Sequence, residues 1–123
     1  MILIFGGAYQ GKTDYAGSKF SINKVCDCSE GCEPDFSADC IAGIEGFVFE
    51  CAKNGIEAKE YFEEKQGLWS DKILIITDTY QGVIPIDKDV RADREMNGRL
   101  MLYLAGMAVE VHRVLCGIGK RVK

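Results

Sequence analysis

The sequence predicts one α/β domain over residues 1–123, a three-layer sandwich with a mostly parallel central sheet. Two observations predict this class. Short, continuous apolar runs at residues 1–5 and at residues 73–77 are typical of strands that are covered on both faces. Patterns of helical length lie between and after these runs, so strands and helices alternate along the chain. This alternation places helices on both faces of the sheet.

The first apolar run leads into a glycine-rich segment with the pattern G-x-x-x-x-G-K-[ST]. A strand before it and a helix after it form the context in which this phosphate-binding loop, or P-loop, binds nucleotides. Lys12 is expected to reach the β- and γ-phosphates, and the Thr13 hydroxyl to ligate Mg²⁺. We therefore expect a P-loop NTPase-like sandwich that binds ATP or GTP with Mg²⁺. The loop residues assigned to the nucleotide are Gly6, Gly7, Ala8, Gly11, Lys12 and Thr13. A glycine turn that binds nothing is the alternative.

The first half of the chain is predicted to hold three helices and one weak strand after the P-loop. The first helix is expected to run from about Lys12 to Lys19 or Phe20, and the weak strand pattern covers residues 21–26. A second helix is expected from about Ala38, because apolar residues recur there at helical spacing up to the stop signal at residues 54–55. A short charged helix spans residues 57–66 and is expected to end at Gly67.

The second half of the chain continues the alternation. Ile73–Thr77 is a strong strand pattern, and residues 87–108 form the longest helical pattern, with Val90, Leu100, Leu104 and Ala108 spaced to pack inward. Residues 111–116 are predicted to be a strand, followed by an extended tail at residues 118–123. Ligands bind at the carboxyl ends of the strands in sheets of this kind.

Charged residues mark two further parts of the predicted site. Asp27 and Asp78 each follow a predicted strand, where a carboxylate can hold Mg²⁺ directly or through water. A strand-end aspartate that only caps a turn is the alternative. Arg91 and Arg94 lie one helical turn apart and could clamp phosphate oxygens, or could belong to a solvated helix face. His112 lies inside a predicted strand, where a packed or surface role is the more common one.

Six cysteines need an explanation in a chain of this size, and four of them form the spacing C-x-C-x3-C-x7-C. These four are Cys26, Cys28, Cys32 and Cys40. The usual metal-binding pair is C-x2-C, so the spacing favours free thiols. A zinc or iron–sulfur site, and with it a redox or regulatory module, is the alternative.

Composition narrows the class of protein. The apolar fraction of 47% and charged fraction of 28% are those of an ordinary globular protein. The net charge of −4 argues against a general nucleic-acid binder. No apolar run approaches the roughly 18 residues of a membrane span, and the N-terminus lacks a signal-peptide pattern, so we expect a cytoplasmic protein.

Four segments together resemble the bifunctional adenosylcobinamide kinase / adenosylcobinamide-phosphate guanylyltransferase family of cobalamin biosynthesis. They are the strand and P-loop at residues 2–13, the strand and loop at 75–85, the R-x-x-R-x-x-x-G helix at 91–99, and the closing segment at 105–117. The resemblance implies phosphoryl transfer from ATP or GTP to adenosylcobinamide, with Lys12 and Asp78 as catalytic residues. It further implies Mg²⁺ held by Thr13 with Asp78 or Asp27, and arginines near Arg91 that hold the nucleotide or a neighbouring subunit of a homo-oligomer.

The chain departs from the family pattern in its middle. Family members are longer and carry there a histidine that takes the guanylyl group, whereas this chain has no histidine before His112. Tyr9-Gln10 stands in place of Arg-Ser, and Asp78 in place of Glu. We therefore expect the kinase reaction without the guanylyltransferase reaction. The alternative is a non-catalytic nucleotide-binding or assembly protein.

Overall fold

A computed structural model of the chain describes residues 1–78 and 88–123. The strands are β1 (Ile2–Gly6), β2 (Val25–Asp27), β3 (Cys40–Ala42), β4 (Ile73–Thr77), β5 (Glu110–Leu115) and β6 (Ile118–Arg121). The helices are α1 (Lys12–Lys19), α2 (Ile44–Lys53), α3 (Ala58–Glu64), α4 (Gln66–Trp69) and α5 (Lys88–Met107). The predicted α/β class is confirmed.

All strands belong to one six-stranded sheet in the order β2-β3-β4-β1-β5-β6. The first five strands in this order are parallel, and only β6 runs antiparallel, against β5. The prediction of a mostly parallel sheet is therefore confirmed. In the register, Gly6 lies opposite Thr77 of β4 and Val114 of β5. The parallel strands thus end at a common carboxyl edge, where the glycine-rich loop between β1 and α1 begins.

Helices cover both faces of the sheet, because successive strand residues point to opposite sides. On one face, Ala16 of α1 packs against Ile4, Ile75 and Val114. The other face is covered by α2 to α5, whose buried side chains form a larger cluster with Leu74 and other strand residues. Both faces of the central strands are therefore buried, which explains why β1 and β4 consist of continuous apolar residues.

The helix predicted from about Ala38 is wrong at its start, because residues 40–42 form strand β3. The apolar spacing of Ile41 with Ile44 suggested one helix, but Ile41 is a strand residue buried in the sheet. Gly43, at φ 67°, turns the chain from β3 directly into α2. A Cβ at Gly43 would overlap the Ser29 amide and the Asp27 carboxylate, so only glycine fits this turn. The turn is a tertiary feature that local spacing could not reveal.

Other boundaries moved less. β2 is shorter than predicted and begins at Val25, and Gly67 lies within the short helix α4 rather than at a helix stop. The long helix was predicted over residues 87–108 and spans Lys88–Met107. Asp87 and the loop at residues 79–85 that carries part of the family resemblance lie outside the described residues.

Helix α5 extends past the carboxyl edge of the sheet. The Asn97 side chain donates a hydrogen bond to the Thr77 carbonyl oxygen at 3.0 Å, which fixes Asn97 level with the end of β4. About two and a half turns of α5 precede Asn97, which is about 13 Å of helix at a rise of roughly 1.5 Å per residue. Arg91 and Arg94 lie on this part of α5. No helix in the described ranges is long and apolar enough to cross a membrane.

Candidate phosphate-binding cleft

The loop between β1 and α1 has a backbone that its glycines make possible. Gly11 has φ 79° and precedes α1, which begins at Lys12 as predicted. The Tyr15 amide donates to the Gly11 carbonyl oxygen at 2.9 Å and so closes the first helical turn. At Gly6, a Cβ would overlap the carbonyl oxygen of Val114 on the neighbouring strand. Two glycines of the motif are thus required by this backbone.

Three hydrogen bonds hold the loop against the sheet. The Gly117 amide donates to the Gln10 carbonyl oxygen at 2.8 Å, and the Cys116 amide donates to Gln10 Oε1. On the other side, the Asp78 amide donates to the Gly6 carbonyl oxygen at 2.8 Å. Gln10, which departs from the family pattern, therefore fastens the loop to the β5–β6 turn.

Lys12 is the first residue of α1 and lies beside the loop that it is expected to serve. Its side chain is 92% covered, since its relative exposure is 8%, and its Nζ donates to the Gly7 carbonyl oxygen at 2.7 Å. Burial lowers the pKa of Lys12 below its ordinary value, and the nearby Glu45 carboxylate partly opposes this effect. The ammonium is therefore held beside the loop backbone by the Gly7 carbonyl oxygen, with the Glu45 carboxylate near enough to affect its pKa.

An open cleft of about 560 Å³ lies between the loop and the ends of β2, β3 and β4. Outside the loop, it is lined by Asp14, Asp27, Ser29, Ala42, Gly43, Glu45, Ile75 and Thr77. One wall therefore supplies a cation and backbone amides, and the opposite wall supplies carboxylates. This pairing suits a ligand that carries both phosphate oxygens and a divalent cation.

The structure brings only part of the predicted site into this cleft. Lys12, Thr13 and Asp27 line it, together with Ala8 and Gly11. Among the described residues, Thr77 lines the cleft, but Asp78, which follows it and is half-buried, does not. Arg91 and Arg94 lie in the first turns of α5, also outside the lining.

Glu45 is a cleft residue that the sequence prediction missed. It lies in the first turn of α2, and its Oε1 accepts a hydrogen bond from the Thr77 amide at 2.9 Å. That bond ties α2 to the end of β4 and places the carboxylate near Lys12. A sequence signal for Glu45 exists, because an acidic residue two positions after a glycine that joins a strand to a helix lies at the end of that strand. This signal can be used only when β3 is recognised as a strand.

Asp93 is a second acidic residue that the prediction left aside. It is 4% exposed and lines a smaller pocket of about 330 Å³ with Ser29, Gly46 and Glu45. Burial, and secondarily the negative charge of Glu45, raises the pKa of Asp93 above its ordinary value. The carboxyl of Asp93 therefore holds its proton more tightly than an exposed aspartate does.

The oxygen donors of the cleft fit a magnesium ion. Mg²⁺ prefers one or two carboxylates, hydroxyl or phosphate oxygens, and water. The Thr13 hydroxyl and the carboxylates of Asp27 and Glu45 all line the same cleft. These residues are the ones that could hold the ion beside a bound polyphosphate.

His112 lies away from this cleft, on the sheet face that carries α1. It is 2% exposed, its Nδ1 is 2.8 Å from the Tyr15 hydroxyl, and its Nε2 is 2.7 Å from Glu110 Oε2. Phe20 packs edge-on against the ring. The histidine is therefore a packed residue, as its position in the sequence indicated.

The four cysteines of the spacing pattern do not all lie together. All six are free thiols. The Sγ atoms of Cys26, Cys28 and Cys32 lie within 4.8 Å of one another, next to the cleft wall at Asp27. Cys40 is buried in the α1-side cluster and is not part of this group. The predicted set of four cysteines is therefore three in space.

Comparison with known proteins adds no family name, because no family model matches the chain and no curated protein matches it either.

Proposed function

We propose that this chain binds a Mg²⁺-nucleotide in the P-loop cleft and transfers the γ-phosphoryl group of ATP or GTP to the hydroxyl of adenosylcobinamide. The observation that carries the nucleotide part is the loop of Gly6 to Thr13 at the carboxyl edge of the parallel sheet, with Lys12 at the start of α1. The arrangement favours a P-loop NTPase-like fold. The acceptor and the place in cobalamin biosynthesis rest on the resemblance of four sequence segments.

Each residue of the proposed site has a defined task. The loop amides and the N-terminus of α1 donate hydrogen bonds to phosphate oxygens. The Lys12 ammonium exchanges the Gly7 carbonyl oxygen for the β- and γ-phosphates, a charge-assisted contact. A magnesium ion, when bound, neutralises charge on the β- and γ-oxygens. Thr13, with Asp27 and Glu45, orients that ion. Asp78, directly after β4, remains a candidate for a further carboxylate that supports the ion.

The transfer itself is mostly a matter of position and charge. The bond between the γ-phosphorus and the β–γ bridging oxygen breaks as the acceptor oxygen bonds to the phosphorus, and the acceptor hydroxyl releases its proton to the solvent of the open cleft. The nucleoside diphosphate leaves with the bridging oxygen. Lys12 stabilises the charge that develops on this oxygen. The transfer is direct and requires no covalent enzyme intermediate.

A non-catalytic nucleotide-binding or assembly protein is the second candidate. The observation that favours it concerns Asp78, which was predicted to be catalytic. In the part of the chain that the structure describes, Asp78 is not among the residues that line the cleft. A protein of this kind would bind the nucleotide through the same loop and release it unchanged.

One assay separates the candidates. The purified chain is incubated with γ-labelled ATP or GTP and Mg²⁺, with and without adenosylcobinamide, and label is followed in free phosphate, in the acceptor and on the protein. If the chain is the proposed kinase, label should appear in adenosylcobinamide. Nucleotide binding by calorimetry with no labelled acceptor would support the second candidate, and no binding at all would contradict both.

A further inference from the structure

Three thiols converge beside the cleft in a way that the nucleotide proposal does not use. The Sγ atoms of Cys26 and Cys28 are 3.7 Å apart, and those of Cys26, Cys28 and Cys32 all lie within 4.8 Å of one another. Within the part of the chain that the structure describes, no other set of three His, Cys, Asp or Glu residues has its ligand atoms this close. The cluster is hereafter the cysteine triad.

The backbone fixes the triad in place. Cys26 lies in β2, and the Cys28 amide donates to the Ala42 carbonyl oxygen of β3 at 2.8 Å. The Gly31 amide donates back to the Cys28 carbonyl oxygen at 2.9 Å, which closes a turn. Gly31 has φ 98°, a conformation that glycine adopts readily, and it directs the following Cys32 toward the other two thiols. The loop is therefore held at both of its ends.

We propose that Cys26, Cys28 and Cys32 form a thiolate site for Zn²⁺, with its fourth position open to solvent. Tetrahedral zinc at a Zn–S distance of about 2.3 Å sets its sulfurs roughly 3.8 Å apart, close to the separation of Cys26 and Cys28. Every other pair needs an approach of about 1 Å or less, which side-chain rotation supplies. Cys28 is fully buried and Cys32 is exposed, so the open position faces solvent on the Cys32 side.

The chemistry of the donors sets zinc apart from the magnesium of the cleft. Sulfur ligands select a soft or borderline ion, whereas the hydroxyl and carboxylates of the cleft select a hard one. The Asp35 amide lies 3.4 Å from Cys26 Sγ and donates to it, an interaction that stabilises a metal-bound thiolate. The zinc site therefore does not depend on the proposed nucleotide site.

The triad adjoins the cleft directly. Asp27 stands between Cys26 and Cys28 in the chain, and its carboxylate accepts from the Ser29 amide at 2.9 Å. Both Asp27 and Ser29 line the cleft. Zinc bound by the triad would hold this segment, and with it one wall of the cleft, in place.

The sequence favoured free thiols because the spacing C-x-C-x3-C-x7-C lacks the usual C-x2-C pair. In the structure, Cys40 lies on the opposite face of the sheet, and the sulfurs of the other three cysteines lie close together. A three-thiolate site with an open fourth position needs neither the fourth cysteine nor the usual spacing.

The test is metal titration of the reduced, metal-free full chain with Zn²⁺ against a competing chelator, and with Co²⁺ followed by thiolate-to-cobalt absorption. We expect one ion per chain and cobalt absorption typical of thiolate ligands. Cys32→Ser removes an exposed ligand and should weaken zinc binding by at least about a hundredfold, since even outer-shell changes cost up to that much. Cys116→Ser, at an exposed thiol on the β5–β6 turn, is the matched control and should bind zinc as the unchanged chain does.

A second measurement avoids any effect of substitution on folding. In the unchanged chain, zinc should slow alkylation of Cys32 by iodoacetamide, measured by mass spectrometry, and leave Cys116 labelling unaltered. Equal zinc affinity in Cys32→Ser, or equal protection of Cys32 and Cys116, would overturn the proposal. So would the absence of a stoichiometric ion at micromolar zinc.

Discussion

Lys12 shows at the scale of one residue what the motif predicts and what the folded loop adds. Its ammonium is covered by the protein and bonded to the Gly7 carbonyl oxygen, with Glu45 nearby. A phosphate would replace a neutral acceptor by a charged one, which adds the attraction between opposite charges to a hydrogen bond whose donor is already charged. The motif alone predicted the contact with phosphate. The partner that holds Lys12 in its absence required the folded loop.

We expect Lys12→Ala to weaken Mg²⁺-nucleotide binding by at least about a hundredfold, about 2.8 kcal/mol, while the chain stays folded. Calorimetric titration with ATP and GTP measures the affinity, and circular dichroism checks the fold. Lys19→Ala, in the exposed last turn of the same helix, is the control and should bind normally. Equal affinity in a folded Lys12→Ala variant would contradict the assignment of the loop.

Asp78 raises a sharper question, because its backbone pairs with Gly6 while Asp27 and Glu45 line the cleft. If Asp78 supports the ion, Asp78→Asn should leave folding and metal-free nucleotide binding nearly intact. It should weaken the Mg²⁺ dependence and any transfer rate by at least roughly tenfold, about 1.4 kcal/mol. If it only caps the end of β4, the substitution should change stability and leave the Mg²⁺ response unaltered.

Glu45→Gln is the comparison for that experiment, since this carboxylate is in the cleft and beside Lys12. A Mg²⁺ titration of both variants, read by nucleotide affinity, decides which acid matters. A loss in Glu45→Gln with none in Asp78→Asn would move the metal role from the predicted strand end to the first turn of α2.

Asp93 carries a prediction about pH. Its pKa is raised by burial and by Glu45, so the folded chain keeps a proton that the unfolded chain releases above about pH 3.8. Stability from this residue is therefore lost as pH rises through the raised pKa, and above it the buried charge destabilises the fold. Asp93→Asn cannot ionise, so it should stabilise the chain at neutral pH by an amount that vanishes below about pH 3.8.

Urea unfolding of Asp93→Asn and of the unchanged chain, at several pH values, measures this difference. Asp71→Asn, at an exposed carboxyl before β4, serves as the matched control. A difference between Asp93→Asn and the unchanged chain that does not vary with pH would show that the substitution acts through packing or hydrogen bonding rather than through charge.

At the scale of elements, local patterns predicted those segments whose structure is decided locally. β4 has the bounds that its apolar run indicated, and α1 begins where the motif placed it. β3 was missed because three strand residues continue a helical spacing into α2. What separates them is Gly43, whose conformation is required by contact with residues 27–29, distant in the chain until β2 and β3 pair.

Gly43→Ala should therefore be costly. A left-handed φ strains alanine, and the new Cβ would overlap the Ser29 amide and the Asp27 carboxylate, so we expect a loss of about 2–4 kcal/mol in the free energy of unfolding. Gly98→Ala is the matched control, because it lies in α5 with no atom within 4 Å of the new Cβ. That substitution should gain about 0.5–1 kcal/mol.

Chemical denaturation of both variants tests this reading of the β3–α2 turn. A Gly43→Ala variant as stable as the unchanged chain would mean that the turn relaxes without cost, and the physical explanation for the missed strand would fail.

At the scale of the whole molecule, the sheet decides which predicted residues meet. Alternation of strands and helices was enough to predict the mostly parallel sheet, and with it a common carboxyl edge for Thr13 and Asp27. It could not predict Glu45 or the cysteine triad, because both depend on how β2, β3 and the loop after Asp27 lie against α2. Those contacts join residues that neither spacing nor composition links.

The same topology bears on the second activity of the resembling family, guanylyl transfer through a histidine. The chain has one histidine, and β5 places it opposite Ile4 in the interior of the sheet, on the α1 face rather than in the cleft. Both ring nitrogens of His112 are engaged, one with Tyr15 and one with Glu110, and the ring is 2% exposed. A nucleophilic histidine needs a free ring nitrogen at the phosphate.

We therefore expect no covalent guanylyl adduct on this chain. The measurement is mass spectrometry of the intact protein after incubation with GTP and Mg²⁺, with digestion to locate any added mass. His112→Phe, which removes the nucleophile and keeps a ring that can pack beside Phe20, is the control and should give the same unmodified result. An acid-labile adduct of GMP mass that appears on His112 and disappears in His112→Phe would contradict the prediction. It would require β5 to expose its central residue, because no phosphate can reach either ring nitrogen while Tyr15 and Glu110 hold them.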